Sequence, residues 1–122
     1  MKIINTYKDL IVWKKSIDLT VAVYRLTKQF PKEEIYGLTS QMRRAAVSIS
    51  SNIAEGKLRN SKKESRKFFL VSFGSGGELE TQIEIAKRLE ETKNLDYTKM
   101  DSLLEEIMKM LNKMISNLNP NA

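Results

Sequence analysis

Residues 36–56 read YGLTSQMRRAAVSISSNIAEG, and the reading of this stretch decides the fold. Placed on a helix, Leu38, Met42, Ala45, Ile49 and Ile53 fall at steps of four, three, four and four, which makes one apolar stripe. Gln41, Arg44, Ser48, Asn52 and Glu55 form a second, wholly polar stripe with nearly the same spacing. The first stripe belongs in a core. The second fits either a solvated face or a buried polar seam. Ala45, Ala46, Ser48, Ser50, Ser51 and Ala54 crowd the middle with small side chains, so a neighbouring helix can come close. Gly56 stands where a helix C-cap is expected, which ends this helix at about residue 55.

The chain around it has 122 residues, enough for a single domain with an ordinary core. Five Gly, two Pro and no long polar tract argue against a linker. No apolar run approaches a membrane span, and MKIINTYKDLIVWKK lacks a signal peptide's apolar stretch. The expectation is a chain without a membrane role. The lack of Cys excludes disulfides and thiol chemistry and fits a reducing cytoplasm. The lack of His removes the commonest general base and metal ligand. The net charge of +6 is unevenly spread: residues 1–67 carry fifteen Lys/Arg against six Asp/Glu, whereas residues 68–122 carry six against nine. A basic half invites an anionic partner such as nucleic acid, although solvated lysines give the same count.

Upstream, the spacing predicts a helix over about 7–28, with Thr6 and Asp9 as a capping-box-like start. Leu10, Trp13, Ile17, Val21 and Tyr24 make its main stripe, flanked by Val12, Leu19, Val23 and Leu26. That arc is too wide for one neighbouring helix, so it needs a multi-helix core or a subunit contact. Trp13 reads as an anchor in either. Pro31 ends the helix, and residues 31–35 suit a short turn with Pro31 at its first position. Downstream, Ser61 and Glu64 form a capping box that opens a helix over 62–90. Its interior holds Gly74, Gly76 and Gly77, each costing about 1 kcal/mol relative to Ala. The Walker A spacing is absent, so a phosphate loop is a poor reading. A continuous helix with a close crossing is preferred, and a kink is the alternative. Residues 92–94 form a turn. A last amphipathic helix runs over 98–117, with Thr98 and Asp101 as its candidate cap. Four helices joined by short links predict an all-α fold, an up-down-up-down antiparallel four-helix bundle over residues 1–122.

Little in this set of residues supports catalysis. Bundle di-metal sites use Glu-x-x-His pairs, and Glu55, Glu78 and Glu84 have no such ligand set. Ser72 and Ser75 have no evident activating base. The expectation is no enzyme, no metal and no cofactor. Gln41, Arg44, Asn52, Glu55, Ser75 and Glu78 fall on facing halves of the second and third helices. They read as a structural polar network that sets helix register, in preference to a ligand site. If buried, Arg44 needs a carboxylate, and Glu78 is the candidate.

The order and spacing of several short motifs resemble the 23S rRNA intervening-sequence protein family, also called four-helix bundle proteins. The motifs are Asp9-Leu10 with Val12-Trp13, Phe30-Pro31 with Glu34, and Tyr36-Gly37-Leu38. Residues 41–46 (QMRRAA), Ser48-Ile49, residues 52–56 (NIAEG), Gly74-Ser75 and Glu78-Leu79 complete the set. Ser72, where a small Ala is usual, and Gly76-Gly77, where larger residues are common, depart from the pattern. The resemblance implies a left-handed four-helix bundle. It also implies a homopentamer with a central channel, as in related accessory proteins of diversity-generating retroelements. Those relatives bind nucleic acid and a reverse transcriptase through a basic surface. By that analogy, charge and position nominate Lys14, Lys15, Arg43, Lys57, Arg59, Lys62, Lys63, Arg66 and Lys67 as nucleic-acid contacts. Two functional expectations follow: an oligomer that binds RNA or DNA through phosphates, or an adaptor oligomer with a protein partner.

Overall fold

The computed structural model of the protein describes residues 6–118. All four expected helices form: α1 (Ile11–Thr27), α2 (Leu38–Leu58), α3 (Lys62–Arg88) and α4 (Thr98–Asn117). Short 3₁₀ turns at Tyr7–Asp9 and Lys32–Glu34 precede α1 and α2, and no strand occurs among the described residues. α1 packs on α2 and α4, and α3 packs on α2 and α4, while α1 and α3 do not meet. The arrangement is a four-helix bundle with α1 and α3 on one diagonal.

The capping box at Thr6 is real but closes a turn, not the long helix. Thr6 Oγ1 accepts from the Lys8 N–H at 3.1 Å, and the Thr6 N–H donates to Asp9 Oδ2 at 3.3 Å. Leu10 is then extended, so α1 starts at Ile11 instead of continuing from residue 7. Pro31 likewise sits one position ahead of its turn, as the residue before Lys32. α3 begins where Ser61 Oγ accepts the Glu64 N–H at 3.1 Å. The expected Thr98–Asp101 cap is not used. Asp96 Oδ1 accepts the Thr98 N–H at 3.0 Å, the Thr98 hydroxyl first and that N–H second hold the Asp96 carboxyl below its ordinary pKa, and Asp101 instead pairs with Lys87 at 2.6 Å.

The core is layered from Leu19 and Val23, Met42, Ile49 and Ile53, Leu79 and Ile83, and Ile107 and Leu111, all fully buried or nearly so. α1 is rotated relative to the expectation. Val12, Leu19, Val23 and Leu26, with Ser16, face inward, and Ile17, Val21 and Tyr24 face solvent. The wedge between α2 and α4 admits only part of α1's wide apolar arc. Trp13 stays half-buried, with Tyr7 edge-on to it at 5.3 Å.

The glycines divide by what surrounds them. Gly56 is not a C-cap: α2 runs two residues beyond it, and a Cβ there would lie 2.5 Å from the buried Phe69 ring. α3 passes through residues 74–77 without a break. Gly76 is the position of the close crossing, where a Cβ would collide with Met108 Sδ, whereas a Cβ at Gly74 or Gly77 would meet nothing within 4 Å. Overpacking a tight contact costs about 1–3 kcal/mol. Gly56→Ala should therefore lower the stability of the bundle by about that much in urea unfolding, despite Ala's better helix propensity.

The α3–α4 connection is locked by two hydrogen bonds. Buried Thr92 donates its hydroxyl to Ala86 O at 2.6 Å, and Tyr97 donates its hydroxyl to Thr92 O at 2.9 Å. Burial is the main cause that pushes the Tyr97 phenol above its ordinary pKa of 10.0. A raised folded pKa favours the protonated fold, so this contribution is complete below pH 10 and is lost as pH rises past the folded value. Stability should fall in alkaline solution above pH 10, and Tyr97→Phe should flatten that fall in urea unfolding measured across pH.

Candidate nucleic-acid interface

Antiparallel packing brings the start of α1, the end of α2, the start of α3 and the end of α4 to one end of the bundle. Eight of the nine nominated basic residues share that end or lie within its first turns. Lys14, Lys57, Lys62 and Lys63 are exposed and have no ion-pair partner among the described residues. They come from three different helices and are free to meet an external anion. The other four are engaged within the chain. Lys15 pairs with Glu106 at 2.6 Å. Arg59 pairs with Glu55 at 2.5 Å and lies over the Phe68 ring at 4.6 Å. Lys67 sits 3.7 Å from Glu64. Arg66 donates from Nε to Ile115 O at 3.3 Å, tying α3 to the last turn of α4.

Arg43 lies at the opposite end. Its Nε donates to Thr27 Oγ1 at 2.9 Å, Nη2 reaches Tyr24 O at 3.5 Å, and the guanidinium covers the Tyr24 ring at 4.6 Å. It satisfies the last turn of α1 and does not join the basic end. Two exposed lysines that sequence reasoning did not nominate do join it: Lys8 in the turn before α1 and Lys113 near the end of α4. Their only signal was proximity to helix ends that antiparallel pairing would bring together. Below the lysines lies a cleft of about 360 Å³ with mixed walls, including Leu10, Phe69 and Met114 with Lys57 and Arg59. Lysines at the start of α3 also oppose its helix dipole, so an anion there relieves repulsion of typically about 0.3–1 kcal/mol per charge.

The expected polar network is smaller than its six members. Ser75 meets Ser48 at 2.8 Å, and the Asn52 amide donates to Ser48 O at 2.9 Å and to its Oγ at 3.1 Å. Fully buried Ser72 donates to Ile49 O at 2.9 Å. The Ser75–Ser48 and Ser72–Ile49 bonds join α2 to α3, whereas the Asn52 bonds stay within α2. Gln41, Arg44 and Glu78 are exposed along the same α2–α3 cleft, about 350 Å³ in volume, and no ion pair joins Arg44 to Glu78. Glu55 turns away to Arg59. The buried charge pair is thus replaced by a hydroxyl seam, because small serines let the backbones approach while long charged side chains reach solvent. Among the described residues no group of three His, Cys, Asp or Glu is placed to hold a metal ion, and no helix is long and apolar enough to cross a membrane.

The profile of the 23S rRNA-intervening sequence protein matches residues 8–113. The chain belongs to that family. Its fold is similar to the crystal structure of a protein of unknown function from the S23 ribosomal protein family of Bacteroides thetaiotaomicron VPI-5482, with a TM-score of 0.71. The likeness covers 86% of this chain and 98% of that one at 22% identity, so it speaks to fold alone. No curated protein matches. The family's four-helix bundle is the architecture found here.

Double-mutant cycles distinguish the hydroxyl seam from the charged rim. A Ser48→Ala/Ser75→Ala cycle should show a coupling of about 0.5–1.5 kcal/mol in urea unfolding. An Arg44→Ala/Glu78→Ala cycle should show less than about 0.5 kcal/mol, as expected of exposed groups without a shared bond.

Proposed function

We propose that this family member is a non-enzymatic, cytoplasmic homo-oligomer that binds RNA or DNA through phosphates at the basic end of the bundle. The observation that carries this reading is the convergence of Lys14, Lys57, Lys62 and Lys63, exposed and unpaired, from three helices onto one end. Contacts of this kind are made to the backbone and carry little sequence preference. Base stacking has little support there. Tyr7 packs on Trp13, and the most exposed aromatic, Tyr36, lies at the other end. Several subunits in a closed assembly, five by analogy with the retroelement accessory proteins, would present several basic ends and multiply the affinity of each.

An adaptor role is favoured by one observation of its own: large apolar side chains, among them Ile35 and Tyr36, remain exposed at the end opposite the lysines. A reverse transcriptase is the protein partner that the likeness to retroelement accessory proteins suggests.

The test is binding of a fluorescent structured RNA over a salt series. Wild type should bind tightly at low salt and weaken linearly on a log–log scale. Changing Lys57, Lys62 and Lys63 together to Ala should reduce that slope by roughly 0.7–0.9 for each phosphate that the variant no longer neutralises. Arg66 is left in place because of its bond to Ile115. A wild type that binds neither RNA nor duplex DNA at low salt overturns the reading in favour of the adaptor.

A further inference from the structure

The cleft at the basic end has walls that a phosphate backbone alone does not use. Leu10, Phe69, Met114 and Leu118 turn apolar surface toward it, from the residue before α1, from α3 and from α4. Gly56 of α2 completes the lining with bare backbone against the Phe69 ring. At about 360 Å³ the cleft falls at the lower end of small-ligand sites, which run to roughly 300–1,000 Å³. Two polar side chains in the lining have no hydrogen-bond partner among the described residues: the half-buried Ser65 hydroxyl on α3 and the exposed Asn117 amide at the end of α4. Each can both donate and accept. Lys57 and Arg59 belong to the same lining, and none of the described residues that line the cleft is acidic. Lys62 and Lys63 lie within one turn of Ser65 on α3.

These features discriminate among anions. A free phosphate uses the cations and leaves the apolar walls bare. An anionic lipid chain covers the walls and leaves Ser65 and Asn117 unused. A nucleotide uses all three: its ring is buried on the walls, its edge carries the mixed donors and acceptors that an amide and a hydroxyl match, and its phosphate meets the lysines. The unbranched thioether of Met114 adapts its shape to a flat ring. The seat depends on burial between aliphatic and thioether groups, not on stacking upon an exposed aromatic. A base paired in a duplex cannot enter, and extruding one costs pairing and stacking energy, least where the base is already unpaired.

We propose that the cleft takes the base of one unpaired nucleotide, with Asn117 and Ser65 on the base edge and Lys57 with Arg59 on the adjoining phosphates, a site that rests on the phosphate-binding reading above. The preferred strand is then one with a loop or a single-stranded end, such as a structured RNA displays.

The test compares a fluorescent RNA hairpin that has an unpaired mixed-sequence loop with the same hairpin carrying abasic loop residues. Both hold the same phosphates, so their salt slopes should agree. Wild type should bind the intact loop roughly tenfold more tightly. Ser65→Phe fills the cleft and keeps every lysine, so it should erase that difference, with circular dichroism as the control for folding. Asn117→Ala, at the exposed last position of α4, should shrink it severalfold. A DNA hairpin of the same sequence, titrated alongside, separates RNA from DNA as the source of the nucleotide. A wild type that binds intact and abasic hairpins equally with a steep salt slope overturns the proposal and leaves the phosphate-binding reading standing, as does a preference that survives both variants. A wild type that binds no hairpin at low salt overturns that reading, and the base site with it.

Discussion

The close approach of α2 and α3 is the constraint on which the bundle depends. It is made by side chains too small to hold the backbones apart: Ala45 and Ser48 on one helix, Ser72 and Ser75 on the other. Two hydroxyl contacts give the approach its register. Ser72 bonds to the carbonyl of Ile49 while Ser75 meets Ser48 about one turn away, and a slip along the axis breaks both. Each such bond is worth only about 1 kcal/mol net, but an unmade one in the same buried place costs about 1–3 kcal/mol. At one end of this seam the Phe69 ring lies over Gly56, and on the far side of α3 Met108 of α4 fills the space above Gly76. α1 and α4 then close the core against the apolar faces that the α2–α3 pair presents.

The antiparallel order has an electrostatic consequence. Charges far apart in sequence are gathered at one end, because alternate helices begin and finish there. Some of that charge is neutralised inside the chain, through Glu106, Glu55 and Glu64, and Arg66 is occupied by a backbone carbonyl. What remains exposed is a set of flexible lysines, which suits a phosphate backbone better than a shaped ligand. At the far end the basic residues Lys87, Arg88 and Lys93 pair with Asp101, Glu84 and Glu90. The charge asymmetry of the sequence thus becomes a cluster of unpaired lysines at one end of the bundle.

The wide apolar arc of α1 is the other feature that one bundle does not absorb. Burying apolar surface gains roughly 25 cal/mol per Å², and a helix on the diagonal of a four-helix bundle can turn only part of its circumference inward. Ile17, Val21 and Tyr24 are the remainder. On α3 the remainder is recessed instead, since Gly74 and Gly77 lie between the exposed Leu70 and Ile85.

Local signals carried most of the fold. Helical spacing in residues 38–53 and 100–118, the Ser61 cap and the break at Pro31 gave four helices in the right order, because those features depend on residues within a turn of one another. The family was legible for the same reason, as ordered short motifs. The candidate site was legible only as a set of charges. Periodicity says which residues share a face but not which neighbour that face meets. Packing alone therefore decided that α1 turns Leu19 inward and Ile17 outward, that Gly56 lies inside a helix under Phe69, and that of three clustered glycines only Gly76 touches another helix. It also sent Arg43 to the end of the bundle away from the lysines and left Arg44 and Glu78 apart at the rim. Each of those outcomes depends on the rotation of a helix about its own axis. That rotation is set by the fit of all four helices at once, which no single stretch of the chain contains.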